Sequence, residues 1–198
     1  MATRRARENS VASELRRLVA ARNSSEEALH QFVVDNPVVL RRFGWQIVSK
    51  PKFGADYAAD FLVRSIGNGL YHHFIEIERA SHRLFTRAGL VSQALSRAQH
   101  QIRSWRAWLG DFRNYGQAVS EDGDPSFHIV IGRRADLSAI DRRRLKELNH
   151  GLLRCSVITW DTLIDEIALL SETAVQEGNE LLVYSDTEFR AAHGRTLG

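Results

Sequence analysis

At 198 residues the chain is long enough for one well-cored domain and leaves little over for a second. Its 43% hydrophobic and 26% charged residues are ordinary for a soluble globular protein, and no apolar run approaches the ~20 residues that span a bilayer. The single Cys155 excludes an internal disulfide or a thiolate zinc cluster, and the basic start of the chain lacks a secretory pattern, so a reduced, cytoplasmic setting is expected.

The net charge of +3 rests almost wholly on arginine, since Lys50, Lys52 and Lys146 are the only lysines. This is read either as composition bias or as phosphate binding through guanidinium forks.

Residues 1–22 predict a basic helix that docks on the domain or on a partner, with Val11, Leu15, Leu18 and Val19 at helical spacing. Asn23 to Glu27 reads as a helix start, with Ala28, Leu29, Phe32 and Val33 as its buried stripe and Asn36-Pro37 as its stop. Strands are expected over 45–49, 60–64 and 71–78, the last two joined by a turn at Gly67-Asn68-Gly69. Ala94, Leu95, Ala98, Ile102, Trp105, Trp108 and Leu109 predict an amphipathic helix over 91–109, with both tryptophans in the core or at an oligomer interface. Beyond a loop at 121–125 come a strand over 127–131, a helix over 138–149 and a strand over 155–159. A closing helix runs over 161–170, capped by Thr159 or Asp161. This order predicts an α/β fold, a mixed sheet of about five strands flanked by helices, in a domain spanning 23–170. Residues 171–198 are expected to pack on that domain as an extension patterned only at Leu181 to Tyr184.

The chemistry concentrates in the second and third strands. Side chains alternate along a strand, so Glu76 and Glu78 share one face while Ile75 and Ile77 share the other. Hairpin pairing brings Asp60 to the face of the glutamates. Three carboxylates beside apolar runs repel one another and take up protons unless a cation neutralises them. Such a cluster suits a divalent-metal site for phosphodiester cleavage. Asp60 and Glu76 are the first candidates to hold Mg2+ or Mn2+, hard cations that take oxygen ligands and keep several waters. The plainer alternative is a pair of solvated strand carboxylates. Gln101 lies on the apolar stripe of its helix, where an amide without partners costs roughly 1–3 kcal/mol. Glu27 suits a helix N-terminus better than a ligand role. His72, His73, His82 and His100 fit no zinc spacing, and Cys155 in an apolar strand reads as an inert thiol.

The element order resembles the PD-(D/E)xK nuclease superfamily, whose core is a helix, a three-stranded meander, a helix and a further strand. Within it the chain is similar to the Shedu anti-phage nuclease domain family. The resemblance is carried by Glu27 to Phe32 with Asn36-Pro37 and Leu40, by Ala59-Asp60-Phe61, and by Ile75 to Ser81. Leu84-Phe85-Thr86 and Gly89, Ala98 to Trp105, Ile131 to Arg134 and Ile158 to Leu163 follow in the family's order.

The resemblance implies metal-dependent cleavage of double-stranded DNA in defence against phage, by a homo-oligomer. It adds the Ile77 carbonyl to Asp60 and Glu76 as a metal ligand and sets Gln101 beside them. Glu78 stands where the superfamily motif has lysine, favouring tighter cation binding or a second metal, or serving as a general base. The displaced positive charge has Lys50, Lys52, Arg79 and His82 as candidates. Arg79, Arg83 and Arg87 with His82 are placed to hold the DNA backbone, whereas Arg142-Arg143-Arg144 reads as a solvated face. Glu78 also keeps open a catalytically inactive DNA-binding or regulatory module that has retained the fold. A purely structural assembly protein is disfavoured by the clustered acids.

Overall fold

The apolar alternation after residue 45 forms a mixed sheet in the computed structural model, which describes residues 2–21, 23–53, 57–66, 70–111, 125–172 and 182–193. In chain order its strands are β1 (Gln46–Ser49), a side ribbon of β2 (Lys52–Phe53) and β3 (Tyr57–Ala58), β4 (Phe61–Ile66), β5 (Leu70–Ile77), β6 (Ser126–Val130), β7 (Cys155–Ile158) and β8 (Leu182–Ser185). The main sheet has the order β7-β6-β5-β4-β1-β8. The meander β1–β4–β5 is antiparallel, while β6, β7 and β8 pair in parallel with their neighbours.

The helices are α1 (Ala2–Ala20), α2 (Glu26–Asp35), α3 (Gln93–Asp111), α4 (Ala139–Gly151), α5 (Trp160–Glu172) and α6 (Asp186–His193). Ser25 caps α2, its hydroxyl oxygen accepting the Ala28 N–H at 3.1 Å. Thr159 immediately precedes α5, its hydroxyl 3.3 Å from that of Thr162.

Strand periodicity divides the core into two layers. Phe61, Val63, Ile75 and Ile77 turn toward α1, α2, α5 and the 3-10 segment Pro37–Phe43. Leu62, Phe74, Phe127, Ile129 and Val157 turn toward α3 and α4. Among the described residues no helix is long and apolar enough to cross a membrane.

Two expectations change. The sheet has six strands because β8 occupies the outer edge of β1, a ladder between distant segments that local patterning does not announce. The N-terminal helix docks on the domain, the first of its two expected seats, with Leu15 and Val19 buried in one core with Leu163, Ile164 and Ile167 of α5. On α2, Ala28 is exposed and His30 is buried instead, its ring stacked on Phe61 with centroids 4.5 Å apart. The turn at Gly67-Asn68-Gly69 and the loop residues Glu121 to Asp124 lie outside the described residues.

Candidate active site

The register of the meander builds the site. Phe61 stands opposite Ile75 and Ser49 opposite Phe61, so one further step aligns Lys50, Asp60 and Glu76 across three strands. The Lys50 N–H donates to the Asp60 carbonyl at 2.8 Å, and the Ile77 N–H donates to Asp60 Oδ2 at 2.8 Å. Asp60 is thereby fixed by its backbone on one side and by its carboxylate on the other. Lys50 itself has φ 50, a left-handed conformation uncommon for a residue with a side chain and enriched at functional sites.

Glu76 and Glu78 are almost fully buried, at 6% and 1% exposure, on the face that α3 covers. Burial, then the charges of Asp60, Glu78 and Glu26, push the Glu76 carboxyl up to about 9, against a hydrogen bond from Gln101 that favours its ionised form. Asp60 is pushed up to about 6, chiefly by burial, with the Ile77 N–H acting in the opposite direction. Both carboxyls thus bind protons more tightly than free ones, Glu76 more than Asp60, and a nearby cation would oppose both shifts. The amide on the α3 stripe meets Glu76, as the family resemblance implies for Gln101.

The third acid is held differently. Glu78 Oε2 lies 3.0 Å from His82 Nδ1, and Glu78 Oε1 accepts from Arg97 Nη2 at 3.3 Å. Its N–H donates to the Val130 carbonyl at 2.8 Å, and its own carbonyl accepts the Trp160 indole N–H at 2.9 Å. The expected trio therefore resolves into an open pair, Asp60 and Glu76, and a tethered single, Glu78. Among the described residues no three His, Cys, Asp or Glu side chains form a metal-holding group. A hard cation would rest on two carboxylates together with backbone or water oxygens, a donor set that suits Mg2+.

Of the remaining candidates, Lys50 places its ammonium 3.2 Å from Glu27 Oε2, giving Glu27 an ion-pair role. Its charge still reaches Asp60, whose proton affinity it lowers. Lys52 is exposed, and its N–H meets Asp186 Oδ1 at 3.5 Å. Arg79 is exposed beside the site, its carbonyl accepting the His82 and Gly132 N–H groups. Arg83 is exposed and lines an adjoining cleft. Cys155 is half-buried, and burial raises its thiol pKa, as an inert thiol requires.

Three residues of the site escape the sequence reading. Glu26, not Glu27, shares the field of the acids: burial and then Glu78 raise its pKa, while Arg97, His82 and Arg79 oppose the rise. His30 supports the row from α2, with Nε2 3.4 Å from the Asp60 carbonyl and 3.3 Å from Ser49 Oγ. Arg97 lies one helical turn before Gln101, and that spacing is the signal that finds it, since residues four apart share a helix face.

A mixed sheet that delivers two buried acids to one end, with a helix amide set against them, defines an α/β domain organised around a carboxylate site. Over residues 23–164 the chain matches the family model of the C-terminal domain of Shedu protein SduA, and it belongs to that family. No curated protein matches it significantly.

Proposed function

We propose that this chain is a metal-dependent DNA endonuclease of the PD-(D/E)xK kind, acting on double-stranded DNA in the cytoplasm in defence against phage. The observation that carries this reading is the pair Asp60 and Glu76, a half-buried and a buried carboxyl side by side in the sheet, whose raised proton affinities mark a need for positive charge. Membership of the Shedu family supports the defence role.

In this reading Asp60, Glu76 and the Ile77 carbonyl hold Mg2+ or Mn2+. The bound cation would polarise a phosphoryl oxygen and acidify a water. Gln101 orients the Glu76 carboxylate and keeps it on the site side of α3. Glu78 is not a free base but an anchor, holding Arg97 and His82 at the mouth of the site. Arg97 is 62% exposed while its guanidinium touches Glu78, so it can still meet a phosphate. It restores the positive charge that the motif lysine would otherwise bring.

Nicking of supercoiled plasmid in Mg2+ or Mn2+ tests the proposal. Wild type is expected to cut and Glu76→Ala not to; equal residual cutting by both would sink it. Glutamate at the lysine position favours the second reading, a nuclease-fold module that binds DNA without cutting. Salt-sensitive DNA binding with no cutting in either cation would support that module instead.

A further inference from the structure

Next to the acid site lies a cleft of about 410 Å³, with His82 in its wall. The same imidazole touches Glu78, so the two sites share a boundary. The walls come from three separated places: the segment 82–87 after β5, Arg133 after β6, and the start of α4. Two glycines permit this convergence. At Gly132 (φ 64) a side chain would run into Leu84 and the His82 carbonyl, and at Gly89 (φ 81) it would run into the Arg144 guanidinium.

The cleft gathers Arg83, Arg87, Arg133 and Arg144 against only Asp136 and Asp141. Arg144 is neutralised by Asp141 at 3.0 Å. No described carboxylate pairs with Arg83, Arg87 or Arg133. Arg133 Nε is buried with no hydrogen-bond partner among the described residues, while its side chain lines the cleft. Its neighbour in sequence, Arg134, is by contrast taken up by Asp165 at 2.5 Å. The run at 142–144, expected to be a solvated face, is thus divided: Arg143 stays out in water beside Glu147, and Arg144 turns into the cleft.

We infer that this cleft is a phosphodiester-binding groove, seating the backbone of a DNA strand next to the bond held at the acid site. The identity of the strand rests on the nuclease reading. Guanidinium forks match phosphate oxygens two at a time, and Leu84, Phe85 and Ile140 offer apolar surface to the sugar. Contacts of this kind set position and strand direction without reading sequence.

The test is the salt dependence of binding to a short duplex, followed by fluorescence anisotropy in EDTA so that no cutting intervenes. Arg87→Ala and Arg133→Ala should each reduce the slope of log K against log salt by about 0.9, the value of one lost phosphate contact. Arg87→Lys and Arg133→Lys should keep most of the slope, and Arg143→Ala all of it, with melting temperatures guarding against misfolding. An unchanged slope in the double alanine variant, or no duplex binding by wild type, overturns the groove. ATP binding that Arg133→Ala abolishes, with the duplex slope untouched, overturns the strand in favour of a free nucleotide. Plasmid nicking separates the two proposals: slopes that fall as expected in a chain that never cuts keep the groove and lose the nuclease.

Discussion

Strand β5 carries a buried titratable cluster at each end, and the two are satisfied in opposite ways. Toward its start, His73 Nδ1 lies 3.1 Å from His128 Nε2, His128 Nδ1 lies 2.8 Å from Ser156 Oγ, and His73 Nε2 lies 3.4 Å from Ser65 Oγ. Burial, then His73 and Arg42, hold His128 down at about 3, and burial with Arg42 lowers His73 as well. The chain Ser65–His73–His128–Ser156 is neutral and complete. Imidazoles and hydroxyls both donate and accept, so such groups can close on one another. Ionised carboxylates only accept. Even a protonated carboxyl accepts more than it donates, so Asp60 and Glu76 draw on the Ile77 N–H and on Gln101 rather than closing on one another. Two histidines and two serines in a hydrogen-bonded row are structure here; two acids side by side are the candidate for function.

The largest effect should come from closing the open end artificially. Glu76→Gln removes a carboxyl that burial forces to take up a proton on folding, so nicking should fall beyond about 100-fold, more than loss of a ligand-supporting partner costs, while the cation-free protein melts several degrees higher. The pH dependence follows from the same shifts. The folded carboxyls of Asp60 and Glu76 titrate above their ordinary values of 3.8 and 4.5, so between those values and about 9 the folded chain binds more protons than the unfolded one. Stability held by the protonated pair is fully present below that window and is lost as pH rises through it. Melting in EDTA from pH 5 to 9 should show this decline, and Glu76→Gln should flatten it. A flat wild-type profile would mean that the acid end is already satisfied.

A smaller effect separates the tethered acid from the open pair. Glu78→Lys places an ammonium beside Arg97 and His82 and should lower the melting temperature by roughly 2–4 °C for each kcal/mol of repulsion. Adding Arg97→Ala should recover both stability and plasmid nicking, because the lysine then supplies the charge that Arg97 had carried. If the double variant is stable but inactive, Arg97 has a role that its charge does not exhaust.

The smallest effect belongs to the closed end. Ser156→Ala leaves His128 Nδ1 without its partner and should cost about 1 kcal/mol, with plasmid nicking unchanged. The pH sign is opposite there. The histidines titrate below their ordinary 6.5 when folded, so their contribution is present above that value and is lost as pH falls toward about 3. Melting below pH 6 reads this directly.

What the sequence revealed of this arrangement was whatever repeats locally. The alternation at Ile75 to Glu78 put the acids on one face, and the stripe of α3 put Gln101 among buried residues, because strand and helix periods are carried by neighbours in the chain. Which of Glu26 and Glu27 turns toward the acids was not legible, since one residue is about 100° of helix and either suits a first turn. Arg97 carries no local mark of a site residue because it is exposed along most of its length; only its contact with Glu78, far off in sequence, places it at the site. The histidine row was misleading in the other direction. His73 and His128 attracted or escaped notice by residue type, whereas their role follows from β5–β6 pairing that no spacing encodes.

The parallel pairing of β8 with β1 has a consequence for how this protein can be cut down. Ser49 sits opposite Ser185, and the next residue, Lys50, is the one whose N–H holds Asp60. A fragment ending at residue 164, where the family match stops, would strip the outer neighbour from β1 and turn a paired strand into a bare sheet edge. Such edges recruit other chains. The limits of likeness to relatives and the limits of a self-sufficient folding unit do not coincide here: beyond residue 164 lie the rest of α5, with Ile167 of the core, and a strand two places in the sheet from an acid of the site.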